Sequence, residues 1–109
     1  MIKSLLLLIF LIVLFSGCAT EQNVGKATTI ENECIKLCNS VKSKQNLTSG
    51  PCLSDTDINW NIEDWVCDVA HSPRQTVDDL PENQCLTFRE GQAHHFIEVD
   101  TECKLIRTV

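Results

Sequence analysis

The sequence contains no tyrosine, and its other aromatic residues are few: two tryptophans and four phenylalanines in 109 residues. Basic residues are also scarce, with 9 Lys and Arg against 15 Asp and Glu and a formal net charge of −6 at pH 7. Proteins that bind nucleic acid usually carry a basic patch, often with aromatic side chains that stack on bases. The sequence lacks both features, so we expect no nucleic-acid partner, and the negative charge favours a basic protein partner instead.

Several short motifs that carry chemistry are also missing. The sequence has no glycine-rich phosphate loop, no dinucleotide-binding fingerprint and no nucleophile elbow. The acidic pairs Asp55/Asp57 and Asp78/Asp79 do not continue into the glycine and glutamate positions of an EF-hand calcium loop. We therefore predict no cofactor, no metal ion and no catalytic residue, and we interpret the protein as a non-enzyme.

A long apolar run, residues 5–15, lies close to the N-terminus. It follows the charged Lys3 and ends in small residues directly before Cys18. The run is shorter than the roughly 20 apolar residues that a membrane-spanning helix needs. A charged start, a short apolar run and a small-residue end are typical of an export signal, which predicts a signal peptide at residues 1–17.

This segment resembles the signal of prokaryotic membrane lipoproteins, in which a cysteine directly follows the small residues. The resemblance implies that the sulfur of Cys18 receives a diacylglyceryl group and that Cys18 becomes the mature N-terminus. It also implies that the lipid anchors the exported protein to the outer face of the cytoplasmic membrane or to an outer membrane. Two alternatives remain: an ordinary secretory signal cleaved after Ala19 would release the protein, and an uncleaved segment would retain it.

Six cysteines remain once Cys18 is assigned to the signal: Cys34, Cys38, Cys52, Cys67, Cys85 and Cys103. An even number of dispersed cysteines in a short exported chain indicates a disulfide framework, here of three bridges whose pairing the sequence leaves open. The absence of a Cys-x-x-Cys pair counts against both a zinc site and a thiol oxidoreductase. This part of the chain resembles small cysteine-rich exported proteins of unknown function.

The polar residues 18–27 are interpreted as the lipidated cysteine followed by a flexible tether. Thr28 and Glu31 have the spacing of a capping box, which predicts that a helix begins at Thr28. Apolar side chains then recur on one helical face, at Ile30, Cys34, Leu37, Cys38 and Val41. We expect the two cysteines on this face to bond to two other elements rather than to each other.

Four later segments are predicted to be strands. Residues 65–69 form a short strand, and residues 84–88, 94–99 and 103–109 form a three-strand meander. With the helix, residues 28–109 are predicted to form a cysteine-rich globular domain of the α+β class. Its architecture is one N-terminal amphipathic helix packed on a three- to four-stranded antiparallel sheet and stapled by three disulfides.

Alternation within residues 94–99 predicts which side chains face the core. His95, Ile97 and Val99 lie on one face, and the apolar members of that set favour it as the buried face. His94 lies on the other face. Because neighbouring strand residues point to opposite sides, we expect His94 and His95 not to grip one metal ion together.

The candidate binding surface consists of His71, Arg74 and His94. His71 and Arg74 belong to a loop that directly follows the strand at residues 65–69, and loops held on a rigid scaffold often carry function. The alternative is a solvated turn in which Arg74 pairs with a nearby acidic residue. Asn46 begins the sequon Asn-Leu-Thr and is a candidate glycosylation site.

These features predict a lipid-anchored, extracytoplasmic binding or structural domain with an unknown ligand. The first alternative is an inhibitor or immunity-type lipoprotein whose acidic surface captures a basic protein. The second is a small metal-dependent or hydrolytic enzyme that uses His71, His94 and an acidic residue.

Overall fold

The structure is a computed structural model that describes the backbone of residues 22–109 and the side chains of residues 29–109. The predicted signal peptide and Cys18 lie outside the described residues, so their assignment stays a prediction. No helix in the described part of the chain is long and apolar enough to cross a bilayer.

Helix α1 runs from Gln22 to Lys42. Its predicted start at Thr28 is wrong, and the helix is not N-terminal as predicted, because residues 1–21 precede it. The capping-box pattern marks a helix start only where the preceding backbone leaves the helical conformation. Residues 22–27 contain no proline, and one glycine costs a helix only about 1 kcal/mol, so the helix continues through this stretch.

The predicted apolar face of α1 is confirmed. Cys34 and Cys38 are fully buried, and Ile30, Leu37 and Val41 are partly buried against the same core. Each of the two cysteines forms a disulfide with a different part of the chain, as expected.

The sheet has three strands, β1 (Trp65–Val69), β2 (His95–Val99) and β3 (Leu105–Thr108), in the order β1-β2-β3. The α+β class with three strands and three disulfides is confirmed, but the sheet is mixed rather than antiparallel. Strands β1 and β2 are parallel, and β2 and β3 are antiparallel. A parallel pair requires a long crossover, which residues 70–94 provide.

The crossover contains a helix where a strand was predicted. Residues 84–88 were expected to be extended, but α2 spans Leu86–Arg89. The Asp55 carboxylate causes the difference, because its Oδ2 accepts a hydrogen bond from the Leu86 amide at 2.6 Å and its Oδ1 accepts one from the Thr87 hydroxyl at 2.7 Å. A carboxylate that accepts from the first helical amide stabilises a helix start, and this one comes from a distant part of the sequence.

The inner face of the sheet packs on α1. Cys67 and Val69 of β1 and Ile97 and Val99 of β2 are almost fully buried there. The predicted core face of residues 94–99 is therefore confirmed for its two apolar members.

All six predicted cysteines form disulfides, in the pairs Cys34–Cys67, Cys38–Cys103 and Cys52–Cys85. The first two bridges join α1 to β1 and to the turn before β3, and the third joins two segments that flank the other face of the sheet. Three disulfides in a domain of this size indicate an oxidising, extracytoplasmic environment.

Gly50 is expected to tolerate alanine poorly, whereas Gly91 provides a matched control. Both have positive φ, at 66° and 77°. A Cβ at Gly50 would overlap Asp78 Oδ1 and lie 3.2 Å from the Val69 carbonyl oxygen, but one at Gly91 would meet nothing within 4 Å. We expect Gly50→Ala to lower the free energy of unfolding by roughly 2–4 kcal/mol and Gly91→Ala by about 1 kcal/mol, as measured by urea denaturation. Equal losses in the two variants would contradict the crowding at Gly50.

Candidate binding site

The outer face of the sheet, opposite α1, carries a cavity of about 350 Å³. Strand alternation directs the remaining side chains of β1 and β2 to this face. The parallel register places Val66 beside Phe96 and Asp68 beside Glu98, and the antiparallel register places Glu98 beside Arg107. The lining residues are Val66, Asp68, Arg74, Gln84, Cys85, Phe88, Arg89, Phe96, Glu98 and Arg107. Cavities of this size lie within the range that holds small ligands.

Aromatic side chains form one wall of the cavity. The rings of Phe88, from α2, and Phe96, from β2, meet edge to face with centroids 5.1 Å apart. The Arg107 guanidinium carbon lies 5.0 Å from the centre of the Phe96 ring, which is a cation–π geometry. Val66 and Cys85 are buried in the same small apolar cluster. The cavity therefore combines an apolar wall with charged groups.

Glu98 is the central acidic group of the cavity. Its residue is only 5% exposed, and both carboxylate oxygens accept hydrogen bonds from guanidinium groups. Arg74 Nη1 lies 2.9 Å from Glu98 Oε2, and Arg107 Nε lies 3.3 Å from Glu98 Oε1. Arg74 also donates to Asp79 at 2.8 Å, so the predicted pairing of Arg74 with nearby acidic residues is found. Two cations thus balance the charge of this buried carboxylate, as buried charges require.

Asp68 lies next to Glu98 but lacks such partners. Its Oδ1 is buried and forms no hydrogen bond within the part of the chain that the structure describes. Burial, followed by the charge of Glu98, raises the pKa of Asp68 to about 8. The carboxyl group is therefore mostly protonated and neutral at pH 7, and it can donate a hydrogen bond.

Arg89 completes the charged lining. It is exposed at the mouth of the cavity and forms no ion pair with any described residue. Because Arg74 and Arg107 are bonded to Glu98, the guanidinium of Arg89 is the uncommitted cation of the cavity. The cavity is thus positively charged at pH 7, although the protein as a whole is acidic.

His71 has a structural role in the loop after β1. Asp78, only 2% exposed, accepts hydrogen bonds from the backbone amides of His71 and Gln75, each at 2.9 Å. The His71 ring Nδ1 lies 2.9 Å from the other oxygen of Asp78. Burial alone would raise the pKa of Asp78, but the hydrogen bonds from Gln75 and His71 outweigh it and lower the pKa. Asp78 therefore organises the loop that holds Arg74 over the cavity.

His94 does not join His71 and Arg74 in one surface. It directly precedes β2, whereas His71 follows β1, and the two strands are parallel, so the histidines lie at opposite ends of the strand pair. Among the three residues of the predicted surface, Arg74 lines the cavity and the two histidines do not.

His94 and His95 approach the same carboxylate. The His94 ring is hydrogen-bonded to Asp64, and His95 Nε2 lies 3.5 Å from the second oxygen of Asp64. This convergence was not expected from strand alternation, and it arises because His94 lies before the strand begins. The hydrogen bond from His94 is the main cause that lowers the pKa of Asp64. The His95 ring also stacks on Trp65 at a centroid distance of 4.6 Å.

Within the described residues, the one group of three potential metal ligands that lie close together is Cys52, Asp68 and Cys85. Cys52 and Cys85 are bonded to each other, so neither offers a thiolate. This group therefore does not form a metal site in the oxidised protein.

Asn46, the candidate glycosylation site, is exposed in the loop that follows α1. Its Oδ1 accepts a hydrogen bond from the Thr48 amide at 2.9 Å, which forms a local turn. Its glycosylation stays a prediction.

Sequence reasoning missed most of the cavity. Asp68, Glu98 and Arg107 occupy alternate strand positions and belong to no linear motif. The signal that could have found them is the presence of charged residues within short apolar strands, at positions that face away from α1. Which charges meet depends on the parallel register, which the sequence did not reveal.

No protein-family model, curated protein or solved structure matches this chain. Its function must therefore be inferred from the chemistry of the outer-face cavity and from the sequence of the N-terminal segment.

Proposed function

We propose that this protein is a small exported binding domain, anchored to a membrane by lipid on Cys18, that holds a small ligand in the outer-face cavity. The cavity is the observation that carries the binding role. It combines an apolar wall, a buried unpartnered oxygen on Asp68 and an uncommitted cation on Arg89. A concave apolar site with a few convergent polar groups is the usual form of a small-molecule site.

Binding is better supported than catalysis. An enzyme that uses His71 and His94 together would need them near one substrate, but they lie at opposite ends of the β1–β2 pair. His71 is also engaged with the buried Asp78. Neither histidine lines the cavity, so general acid–base chemistry by these residues has no geometric support there.

Lipid anchoring is supported by the sequence before Cys18, and export by the three disulfides. The test is metabolic labelling of the full-length chain with radiolabelled palmitate in a bacterial host, followed by fractionation. We expect label in the wild-type protein and in a Ser16→Ala control, both in the membrane fraction, and none in Cys18→Ala. An unlabelled wild-type protein that is released in soluble form would overturn the anchor and favour an ordinary secretory signal.

Ligand binding is tested by a fragment screen on the full chain in detergent micelles with ligand-observed NMR. Gln84 lines the cavity and is only half-buried, so Gln84→Trp should fill it with a large side chain. Gln45→Trp makes the same change at an exposed position after α1 and is the matched control. We expect fragments that bind the wild type and Gln45→Trp but not Gln84→Trp. A screen without binders, or with the same binders in all three proteins, would overturn the assignment of the cavity.

A further inference from the structure

The charges that line the cavity restrict the kind of ligand it can hold. Three guanidinium groups line the cavity together with one carboxylate, Glu98, and a largely protonated carboxyl group, Asp68. Asp79, the second acidic partner of Arg74, lies outside the lining, and with it counted one positive charge remains in excess. Arg74 and Arg107 are bonded to Glu98, whereas Arg89 has no ion-pair partner among the described residues. A cationic ligand would meet this excess of positive charge and would be repelled.

One uncommitted cation favours a ligand with a single negative charge. Arg89 can bind a carboxylate through two parallel hydrogen bonds, the geometry that guanidinium groups prefer. A dianionic phosphate would need a second cation, but recruiting Arg74 or Arg107 would remove a partner from the buried Glu98. Leaving a buried carboxylate without its partner is strongly destabilising.

The remaining lining defines the rest of the ligand. Val66, Phe88 and Phe96 offer an apolar wall on which a ring or a short hydrocarbon can pack. The buried oxygen of Asp68 lacks a hydrogen bond within the described chain. Asp68 is only partly buried as a residue and lines the cavity, so its carboxyl group can hydrogen-bond a polar atom of the ligand.

We propose that the cavity binds a small organic monocarboxylate whose carboxylate pairs with Arg89, whose apolar body packs on Phe88 and Phe96, and whose opposite end hydrogen-bonds Asp68. This inference rests on the proposed binding function and specifies its ligand class. The charged end lies at the mouth of the cavity, where Arg89 is exposed, and the uncharged polar end lies deeper, beside the buried carboxyl group.

Four one-ring probes test the three parts of this proposal on the full chain in micelles: 4-hydroxybenzoate, benzoate, 4-hydroxybenzamide and phenyl phosphate. 4-Hydroxybenzoate carries all three recognised features. Benzoate lacks the polar end, 4-hydroxybenzamide lacks the charge, and phenyl phosphate carries a second negative charge. Dissociation constants come from NMR titration. We expect 4-hydroxybenzoate to bind most tightly and the neutral amide about tenfold more weakly, because a hydrogen bond to a charged group is lost.

Two variants test whether Arg89 is the group that binds the ligand carboxylate. Arg89→Gln should weaken 4-hydroxybenzoate about tenfold and leave 4-hydroxybenzamide nearly unchanged. Lys44→Gln removes an exposed cation in the turn after α1, which does not line the cavity, and should change neither. Tighter binding of phenyl phosphate or of the neutral amide, or equal binding of 4-hydroxybenzoate by wild type and Arg89→Gln, would overturn the proposal. If fragments still bind and Gln84→Trp abolishes their binding, the cavity is a ligand site of a different class, and the proposed function survives.

Discussion

Replacing Asp68 by asparagine should stabilise the protein at pH 8 and leave its stability nearly unchanged at pH 4. Burial and the neighbouring Glu98 raise the pKa of Asp68 to about 8, from an ordinary value of 3.8. Between these values the folded protein binds a proton that the unfolded chain releases. The stability of the wild type is therefore fully present below about pH 4 and decreases as the pH rises towards 8.

The size of this effect follows from the difference between the two pKa values. Each pH unit in the window costs about 1.4 kcal/mol, so the loss over the roughly four units is on the order of 5–6 kcal/mol, which is a large part of the stability of a small domain. Asparagine has nearly the same shape, carries no charge at any pH and keeps a polar atom at the position of the unpartnered oxygen. The variant should thus resemble the protonated wild type and lack this pH dependence.

The measurement is urea unfolding of wild type and Asp68→Asn at several values between pH 4 and pH 9. Glu82→Gln is the control, because Glu82 is exposed and forms no hydrogen bond or ion pair with other described residues. We expect the difference between Asp68→Asn and wild type to grow steadily with pH and the difference for Glu82→Gln to stay small. If Asp68→Asn changed stability by the same amount at every pH, the raised pKa of Asp68 would be refuted.

The features that local periodicity determines could be predicted from the sequence. The spacing of Cys34 and Cys38 with the apolar residues around them identifies the buried face of α1, whatever the rest of the chain does. Alternation likewise identifies Ile97 and Val99 as core residues. The even number of cysteines predicts complete disulfide pairing because an oxidising extracytoplasmic compartment leaves few free thiols.

The features that depend on distant contacts could not be predicted. Helix α2 forms in a segment whose sequence predicted a strand. The cause is Asp55, about thirty residues earlier in the chain, which accepts hydrogen bonds from the first turn of α2. The parallel pairing of β1 with β2 depends on how residues 70–94 cross over, and no short motif encodes that path. The register of this pair places Asp68 beside Glu98, so the central chemistry of the cavity was equally hidden.

The cavity and the disulfides are structurally connected. Cys85, which is bonded to Cys52, directly precedes α2 and lines the cavity together with Phe88 and Arg89. The other two bridges attach α1 to β1 and to the turn before β3. One bridge therefore supports the outer-face cavity, and two support the core.

Complete reduction of the three disulfides should unfold the protein. The bridges close chain segments with sequence separations of 33, 65 and 33 residues. Each is expected to stabilise the folded state by about 4 kcal/mol, chiefly by restricting the unfolded chain. In a domain of this size the gain from burying the apolar core is nearly cancelled by the conformational entropy lost on folding, so the reduced chain should have no stable fold at room temperature. Circular dichroism and the dispersion of amide NMR signals, with and without reductant, measure the result.

Paired substitutions separate the roles of the individual bridges. Cys52→Ala/Cys85→Ala should weaken the proposed ligand binding in the outer-face cavity. It should leave the amides of α1 protected from hydrogen exchange, because both bridges to α1 remain. Cys38→Ala/Cys103→Ala removes the bridge with the longest separation and should lose protection in the C-terminal half of α1, where Cys38 lies. A reduced wild-type protein that keeps dispersed NMR signals and a cooperative urea transition would show that the apolar core suffices without the bridges. That result would contradict the disulfides as the main source of stability.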